Sequence, residues 1–275
     1  MLRGEERSEI AMTTRIWEQD FTRADADLSQ WNIREGNDLL DREGRPIHPG
    51  WGNGELQYYT GRPGNLYLDA VGLHLCARRE ETRTEDGRLF AYTSARLDTR
   101  DHMSYCYGKL VVRTRLPIGQ GLWPAIWLLP QDEAYGPWPA SGEIDVMEAR
   151  GRLPRQVSGT LHYGRDFEHK MTDEHACELT DGDIGRFRDY GLEWEPEAVR
   201  WLVDGRCYAE QRLLPEEMPF DQRFYLVLNL AVGGWYDQVE VDEAALPGTM
   251  TVSGIWLYSS PYSSTNEPYS DIFTS

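Results

Sequence analysis

The segment Ser141-Gly142-Glu143-Ile144-Asp145-Val146-Met147-Glu148 places three carboxylates within six residues of an otherwise strand-like run. Ionised carboxylates repel one another and resist burial, so a strand that only filled a core would not carry them at this density. Side chains alternate along a strand, which points Glu143 and Asp145 to one face. Glu148, five positions after Glu143, falls on the opposite face of a regular strand. One β-bulge near Val146-Met147 adds a residue and returns Glu148 to the face of Glu143. The chain then needs a fold that offers a bulged strand with one polar, accessible face and one apolar face. An exposed acidic strand edge, where charge opposes aggregation, is the plainer alternative. Paired carboxylates on one surface are also the usual equipment for cleaving a glycosidic bond.

The surroundings favour a site over an edge. Upstream lies Gly121-Leu122-Trp123-Pro124-Ala125-Ile126-Trp127-Leu128-Leu129-Pro130, then Trp138-Pro139-Ala140; downstream lies Gly159-Thr160-Leu161-His162-Tyr163-Gly164. Indole faces stack on the apolar faces of sugar rings while polar groups bind hydroxyls, so tryptophans beside carboxylates suit a saccharide cleft. Core packing is the ordinary role of a single tryptophan. Trp123 and Trp127 are four apart and share a face in a strand, so one of them is a candidate for the core.

The rest of the chain reads as β-structure. Strand-like segments run over 64–77, 108–116, 155–162, 190–195, 199–204, 224–232 and 249–258, separated by turn signals such as Asp86-Gly87, Asp181-Gly182 and Asp204-Gly205. Residues 199–206 read as a hairpin. Helical periodicity is confined to about one turn near Leu214–Met218. At 275 residues the chain can bury a sizeable core, and all-β sandwiches of this size commonly form one domain. No internal repeat or linker marks a second one.

Acids number 46 against 28 bases, giving a net charge of −18 at pH 7, and Lys109 and Lys170 are the only lysines. Nucleic acid is disfavoured because its phosphates are repelled. No polybasic patch suggests a membrane surface, and nothing approaches the roughly 18 consecutive apolar residues of a membrane span. Residues 1–20 are polar, so no secretory peptide is legible, and Met12 is a second candidate start. The acidic, lysine-poor composition fits a protein kept soluble in high salt, where charge is screened within roughly 3 Å at molar concentration. A high-GC coding bias toward arginine with ordinary acidity fits as well. Cys76, Cys106, Cys177 and Cys207 allow three pairings; Cys177 sits in a loop-like stretch, and buried free thiols are the expectation. His162, His169, His175 and Cys177 match no zinc spacing, and no N-glycosylation acceptor is present.

The run from Gly121 to Gly151 resembles the catalytic region of glycoside hydrolase family 16, in its laminarinase-like branch of endo-β-1,3-glucanases. So do the blocks Trp51-Gly52-Asn53-Gly54-Glu55-Leu56-Gln57-Tyr58-Tyr59-Thr60, Tyr92-Thr93-Ser94-Ala95-Arg96, Gly191-Leu192-Glu193-Trp194-Glu195-Pro196 and Leu226 to Gly234. The resemblance implies a concanavalin A-like β-jelly roll of two curved antiparallel sheets, with the acids on the concave face. It implies one catalytic domain over 17–260, between a polar N-terminal extension over 1–16 and a C-terminal tail over 261–275 that departs from the family and is expected to be mobile.

The resemblance also assigns roles. Glu143 is the nucleophile, Glu148 the acid/base and Asp145 the tuning group of a retaining mechanism. His162 matches a position next to the acid/base, with a structural histidine as the alternative. Asn53, Glu55 and Arg96 match positions near the sugar-binding end. Trp123, Trp127 and Trp138 match stacking platforms, with Trp138 the most cleft-facing. Many relatives read Gly-Gly-Asn-Trp where this chain has Gly233-Gly234-Trp235-Tyr236, so Trp235 is displaced by one. Relatives also often carry a calcium-ligating Asp where Ser253 stands here; Asp20 alone offers too few oxygens, and weak or no structural calcium is expected. No other cofactor is needed.

The partner implied is a β-glucan polysaccharide or oligosaccharide, met by a monomer. Such polymers are usually extracellular, which the missing signal leaves unexplained. Other specificities of the family (mixed-linkage glucan, agarose, galactan, transglycosylation) and a non-catalytic glucan-binding module stay open; the module is disfavoured by the intact acids. The uncompensated charge leads to one measurement: the melting temperature should rise from dilute buffer to molar KCl, with activity persisting there, whereas ordinary acidity gives a flat response or inhibition.

Overall fold

The computed structural model describes residues 14–41, 44–214 and 216–263. Its strands are β1 (Arg15–Asp20), β2 (Asn32–Arg34), β3 (Asp38–Leu40), β4 (Pro46–Pro49), β5 (Gln57–Tyr59), β6 (Leu66–Asp69), β7 (Gly72–Arg83), β8 (Leu89–Ser94), β9 (Arg96–Asp98) and β10 (Ser104–Tyr105). They continue with β11 (Gly108–Arg115), β12 (Leu122–Pro130), β13 (Glu143–Glu148), β14 (Gln156–Tyr163), β15 (Met171–Glu178), β16 (Arg188–Glu195), β17 (Ala198–Val203), β18 (Arg206–Arg212), β19 (Phe224–Val232) and β20 (Gly248–Tyr258). An eight-stranded sheet in the order β15-β14-β13-β12-β19-β9-β2, with β10 beside β19, carries the acids. A ten-stranded sheet in the order β18-β17-β16-β11-β20-β7-β8-β5, with β1 beside β20 and β6 beside β7, backs it. This is the expected jelly roll, with one departure: β5 and β8 pair parallel, Gln57 opposite Tyr92.

Alternation puts one face of each sheet into a shared core. In β11 the residues Leu110, Val112 and Thr114 are buried between more open neighbours. The Asp204-Gly205 hairpin turn uses left-handed backbone at both residues, φ 50° and 75°, the geometry that follows the right-handed twist of paired strands. The expected helical turn near Leu214 is a single turn, closed by Met218 N donating to the Leu214 carbonyl at 2.9 Å. Strand β1 begins two residues inside the expected 1–16 extension, and Arg15 pairs with Tyr258; residues 1–13 lie outside the described ones, as does the tail from 264. The start of that tail is held, since Ser263 is buried and its hydroxyl donates to the Tyr107 carbonyl at 3.3 Å. All four cysteines are free thiols. Cys177 lies in β15 rather than a loop; an edge strand tolerates the polar run around it because one rim faces water.

The bulge falls where the acid spacing requires it. Against β12, Asp145 pairs with Trp127 and Met147 with Ile126, so Val146 is the extra residue. Against β14, Asp145 faces Thr160 and Glu148 faces Ser158. Ile144, Val146 and Met147 all join the core. The inserted residue bends the strand enough to bury both Val146 and Met147.

Trp201 of β17 locks this strand from behind. Its indole crosses the core to Gly159 of β14, where a Cβ would sit 2.1 Å from the indole Cδ1. Its Nε1 donates to the Asp145 carbonyl, at the entry to the bulge, at 2.8 Å. Trp201→Phe should lower the unfolding free energy by about 1–3 kcal/mol from the unpaired carbonyl alone, measured by urea denaturation. Gly159→Ala should destabilise more, because a fully buried indole cannot retreat.

Candidate active site

The three acids project from the same face of β13, and each has its own partner. Glu143 Oε2 accepts from Trp138 Nε1 at 2.7 Å. Glu148 Oε1 accepts from Trp123 Nε1 at 2.9 Å. Asp145 Oδ2 lies 3.2 Å from His162 Nε2. Trp138 reaches Glu143 because its loop is folded on itself: Ser141 Oγ accepts from Tyr135 N at 3.0 Å and donates to the Gly136 carbonyl at 2.7 Å. Asp145 and Glu148 are buried, whereas Glu143 is partly open. His162 stands opposite Glu143 in β14 and contacts Asp145. Its charge also acts on Glu148, the acid beside which it was expected.

Burial lifts all three carboxyls out of their ordinary range. Glu143 rises to about 7, through desolvation first and then the Asp145 charge; His162, the Trp138 N–H and Lys170 oppose the rise. Asp145 rises to about 8, mainly by burial with Glu174 adding, opposed by its hydrogen bond with Glu143. Glu148 is pushed well above the usual range by burial and then by the charge of Asp145, with Glu143 adding. The acids titrate as one set. Glu143 is partly open and has the Lys170 charge beside its Trp138 N–H to favour the ionised form, whereas Glu148 is buried and pushed toward its protonated form. A nucleophile and an acid need that ordering. Glu143, Asp145 and His162 offer donor atoms within 4.8 Å of one another and so could hold a metal ion; the raised pKa values of the two carboxyls oppose the deprotonation that ligation demands.

The predicted sugar-contacting residues divide into rim and support. Trp138 is 37% exposed and lies open beside the acids. Trp123 and Trp127 are both half-buried on the acid face, so neither is a core residue: both sit at odd positions of a strand whose even positions face inward. Trp123 stacks on Tyr236 at 5.2 Å. Trp127 Nε1 donates to Asn229 Oδ1 at 2.7 Å. Arg96 is buried between the rings of Trp51 and Trp127, at 4.1 and 4.8 Å. Glu55 is buried too, accepting from Asn53, Gln57 and Tyr59 at 3.1, 2.6 and 2.9 Å. Glu55 and Arg96 were expected to meet sugar hydroxyls; both are buried, Glu55 among three hydrogen-bond donors and Arg96 between two indoles with its Nε unpartnered. Asn53 and Trp235 form the rim, with Trp235 N donating to the Asn53 carbonyl at 2.9 Å and its ring 59% exposed.

Tyr236 was missed by the sequence reading. It carries the aromatic contact to Trp123, its hydroxyl lies 2.7 Å from Ser158 Oγ, and Arg150 covers its ring at 4.0 Å. Its place after the displaced Trp235 was the available signal. Asn229 and Trp51 lie within the resembling blocks 226–234 and 51–60 but were given no role there.

Comparison with known proteins agrees with this site. The model of "Glycosyl hydrolases family 16" matches residues 47–253. A β-glucanase of Rhodothermus marinus is 41% identical over 227 residues, 76% of this chain and 76% of that protein. Glucan endo-1,3-beta-glucosidase A1 of Niallia circulans is 37% identical over 263 residues, covering 90% of this chain; the match spans only 38% of that longer protein. The laminarinase catalytic domain of Thermotoga maritima MSB8 superposes with a TM-score of 0.78 at 36% identity, covering 90% of this chain and 98% of that one.

The raised carboxyls have a stability cost with a definite sign. The folded state holds the Glu143 proton up to about pH 7, while the unfolded chain releases it near 4.3. Stability from this group is therefore complete at low pH and is lost as pH rises through the folded pKa. Glu143→Gln, which keeps an acceptor for Trp138, should melt higher than the wild type at pH 8 by about 2–4 °C or more. In scanning calorimetry the gap should close toward pH 5.

Proposed function

The chain belongs to glycosyl hydrolases family 16, and from that membership we propose that it is a retaining, endo-acting hydrolase of internal β-1,3 bonds in β-glucan. The observation that carries the chemistry is the bulged strand, which turns two glutamates of unequal proton affinity to one face. The β-1,3 linkage is supported by the activities named for the Niallia circulans and Thermotoga maritima relatives.

Ionised Glu143 attacks the anomeric carbon while Glu148 gives its proton to the departing glycosidic oxygen. The C–O bond to the leaving chain breaks, and a glycosyl ester forms on Glu143 with inversion. The ester removes the negative charge beside Glu148, now itself a carboxylate. Glu148 takes a proton from water, whose oxygen attacks the anomeric carbon from the opposite face and frees Glu143. Two inversions leave the β-configuration intact. The Trp138 N–H stabilises the carboxylate of Glu143 before attack and after release, while the Asp145 charge raises its proton affinity. The carboxyls supply every proton transfer, so no cofactor takes part.

The test uses a panel of laminarin, mixed-linkage glucan, agarose and a β-1,4-glucan, with products sized early. Laminarin should yield a ladder of short oligosaccharides before free glucose. Glu143→Gln should lose turnover by at least roughly 10³-fold, as expected for a missing nucleophile. Glu148→Ala should retain activity on substrates with an acidic leaving group and, with azide, give a β-glycosyl azide. An α-azide contradicts the retaining assignment, and depolymerisation of agarose but not laminarin contradicts the linkage.

A further inference from the structure

Phe167 is 65% exposed, more than any other large hydrophobic among the described residues. A lone exposed apolar side chain is ordinary; its place is what matters. The Phe167 ring lies 6.1 Å from that of Trp138, tilted by 46°. Trp138 in turn lies 6.3 Å from His162 and donates its N–H to Glu143. An aromatic path therefore leads from the nucleophile, through Trp138, out to Phe167.

The path is built rather than incidental. Phe167 opens a short 3₁₀ turn, Phe167–His169, capped by Asp166, whose carboxylate accepts from His169 N at 3.0 Å. Arg165 Nε donates to the other oxygen of Asp166 at 2.9 Å. Gly164 (φ 124°) lets the loop double back: a Cβ there would lie 2.3 Å from the His169 carbonyl oxygen. The same loop returns Lys170 to within 5.3 Å of the Trp138 ring. Phe167 is thus held in place before any ligand arrives, which spares the ordering cost of binding. Packing does not explain it, because most of its ring faces water.

We propose that Phe167 is an outer stacking platform of the cleft, taking a glucose unit of a neutral β-glucan beyond the unit held at Trp138. This rests on the glucanase reading above. A neutral sugar fits the surroundings, since the loop carries charges of both signs, Asp166 and Glu168 with Arg165 and Lys170, and so offers no single-sign field that selects a charged glycan. The 46° between the two ring planes presents successive sugar faces at an angle, which a bending β-1,3 chain can follow and a flat ribbon cannot.

The experiment compares the wild-type chain with Phe167→Ala and Phe167→Tyr on β-1,3-gluco-oligosaccharides of increasing length. Phe167→Ala should lose roughly threefold to tenfold in kcat/KM, the size of an aromatic stacking contact, only once the substrate is long enough to reach position 167. The product ladder should shift in the same step, and Phe167→Tyr should restore both. An equal loss at every length, or none at any length, overturns the platform; a melting temperature matching the wild type separates either result from misfolding. If the wild type cleaves another polymer of the panel instead, the linkage reading fails, and the same length series from that polymer decides the role of Phe167.

Discussion

One extra residue, Val146, sets the geometry on which the catalytic surface depends. Without it Glu148 points into the core, where an unpaired carboxyl costs several kcal/mol, and the two glutamates lie on opposite faces of the sheet. With it, the strand must leave regular pairing against both β12 and β14. An irregular strand in a sheet centre is a weak point. The Trp201 indole meets it, reaching from the backing sheet to take the Asp145 carbonyl and filling the space that Gly159 leaves open. The backing sheet therefore does more than close the core: it holds the bulge that aligns the acids.

The tryptophans of the acid face act first through their N–H groups. Trp138 donates to Glu143, Trp123 to Glu148 and Trp127 to Asn229. An indole N–H is a donor that cannot accept and never titrates, so it stabilises a carboxylate without entering the proton exchange. The same side chains supply apolar walls, and those walls raise the acid pKa values by excluding water. Two opposite influences thus come from one residue type, and the balance differs at each acid. Glu143 is more open and has Lys170 near it, whereas Glu148 is enclosed and pushed further toward its protonated form. Three carboxyls crowded in one place strain the fold, an expected trade between stability and reactivity at a working site.

Beneath the open end, charge is handled differently. Arg96 lies between two indoles and Glu55 is saturated by an amide, an amide and a phenol. A guanidinium stacked on aromatic faces tolerates burial better than an ammonium does, consistent with an arginine at this position. The segment 50–56 that carries Glu55 is tied to the end of β19 through Leu56 N and the Val232 carbonyl, at 2.9 Å. The rim formed by Asn53 and Trp235 is thereby tied to the sheet that carries the acids.

Much was legible in the residues themselves. The acid spacing demanded a bulge within two residues of its true place, because a period of 2 leaves no other way to align positions 143, 145 and 148. The turn at Asp204-Gly205 and the central strands followed from alternation and turn chemistry, which are local. The resemblance to the family then supplied the roles of the acids and the two-sheet architecture. What stayed hidden depends on strand neighbours that lie far apart in the chain. That His162 stands opposite Glu143 and within 3.2 Å of Asp145 is a matter of register between β13 and β14. That Glu55 and Arg96 are buried braces depends on β5, β9 and β19 converging under the cleft. Tyr236 and Phe167 carry no motif and gain their positions only when Trp123 and Trp138 fold beside them. The sequence by itself determined periodicity, turn chemistry and which groups can hold a proton, since these depend on neighbours along the chain; tertiary structure alone decided which groups meet, because burial and pairing are set by contacts that no local pattern records.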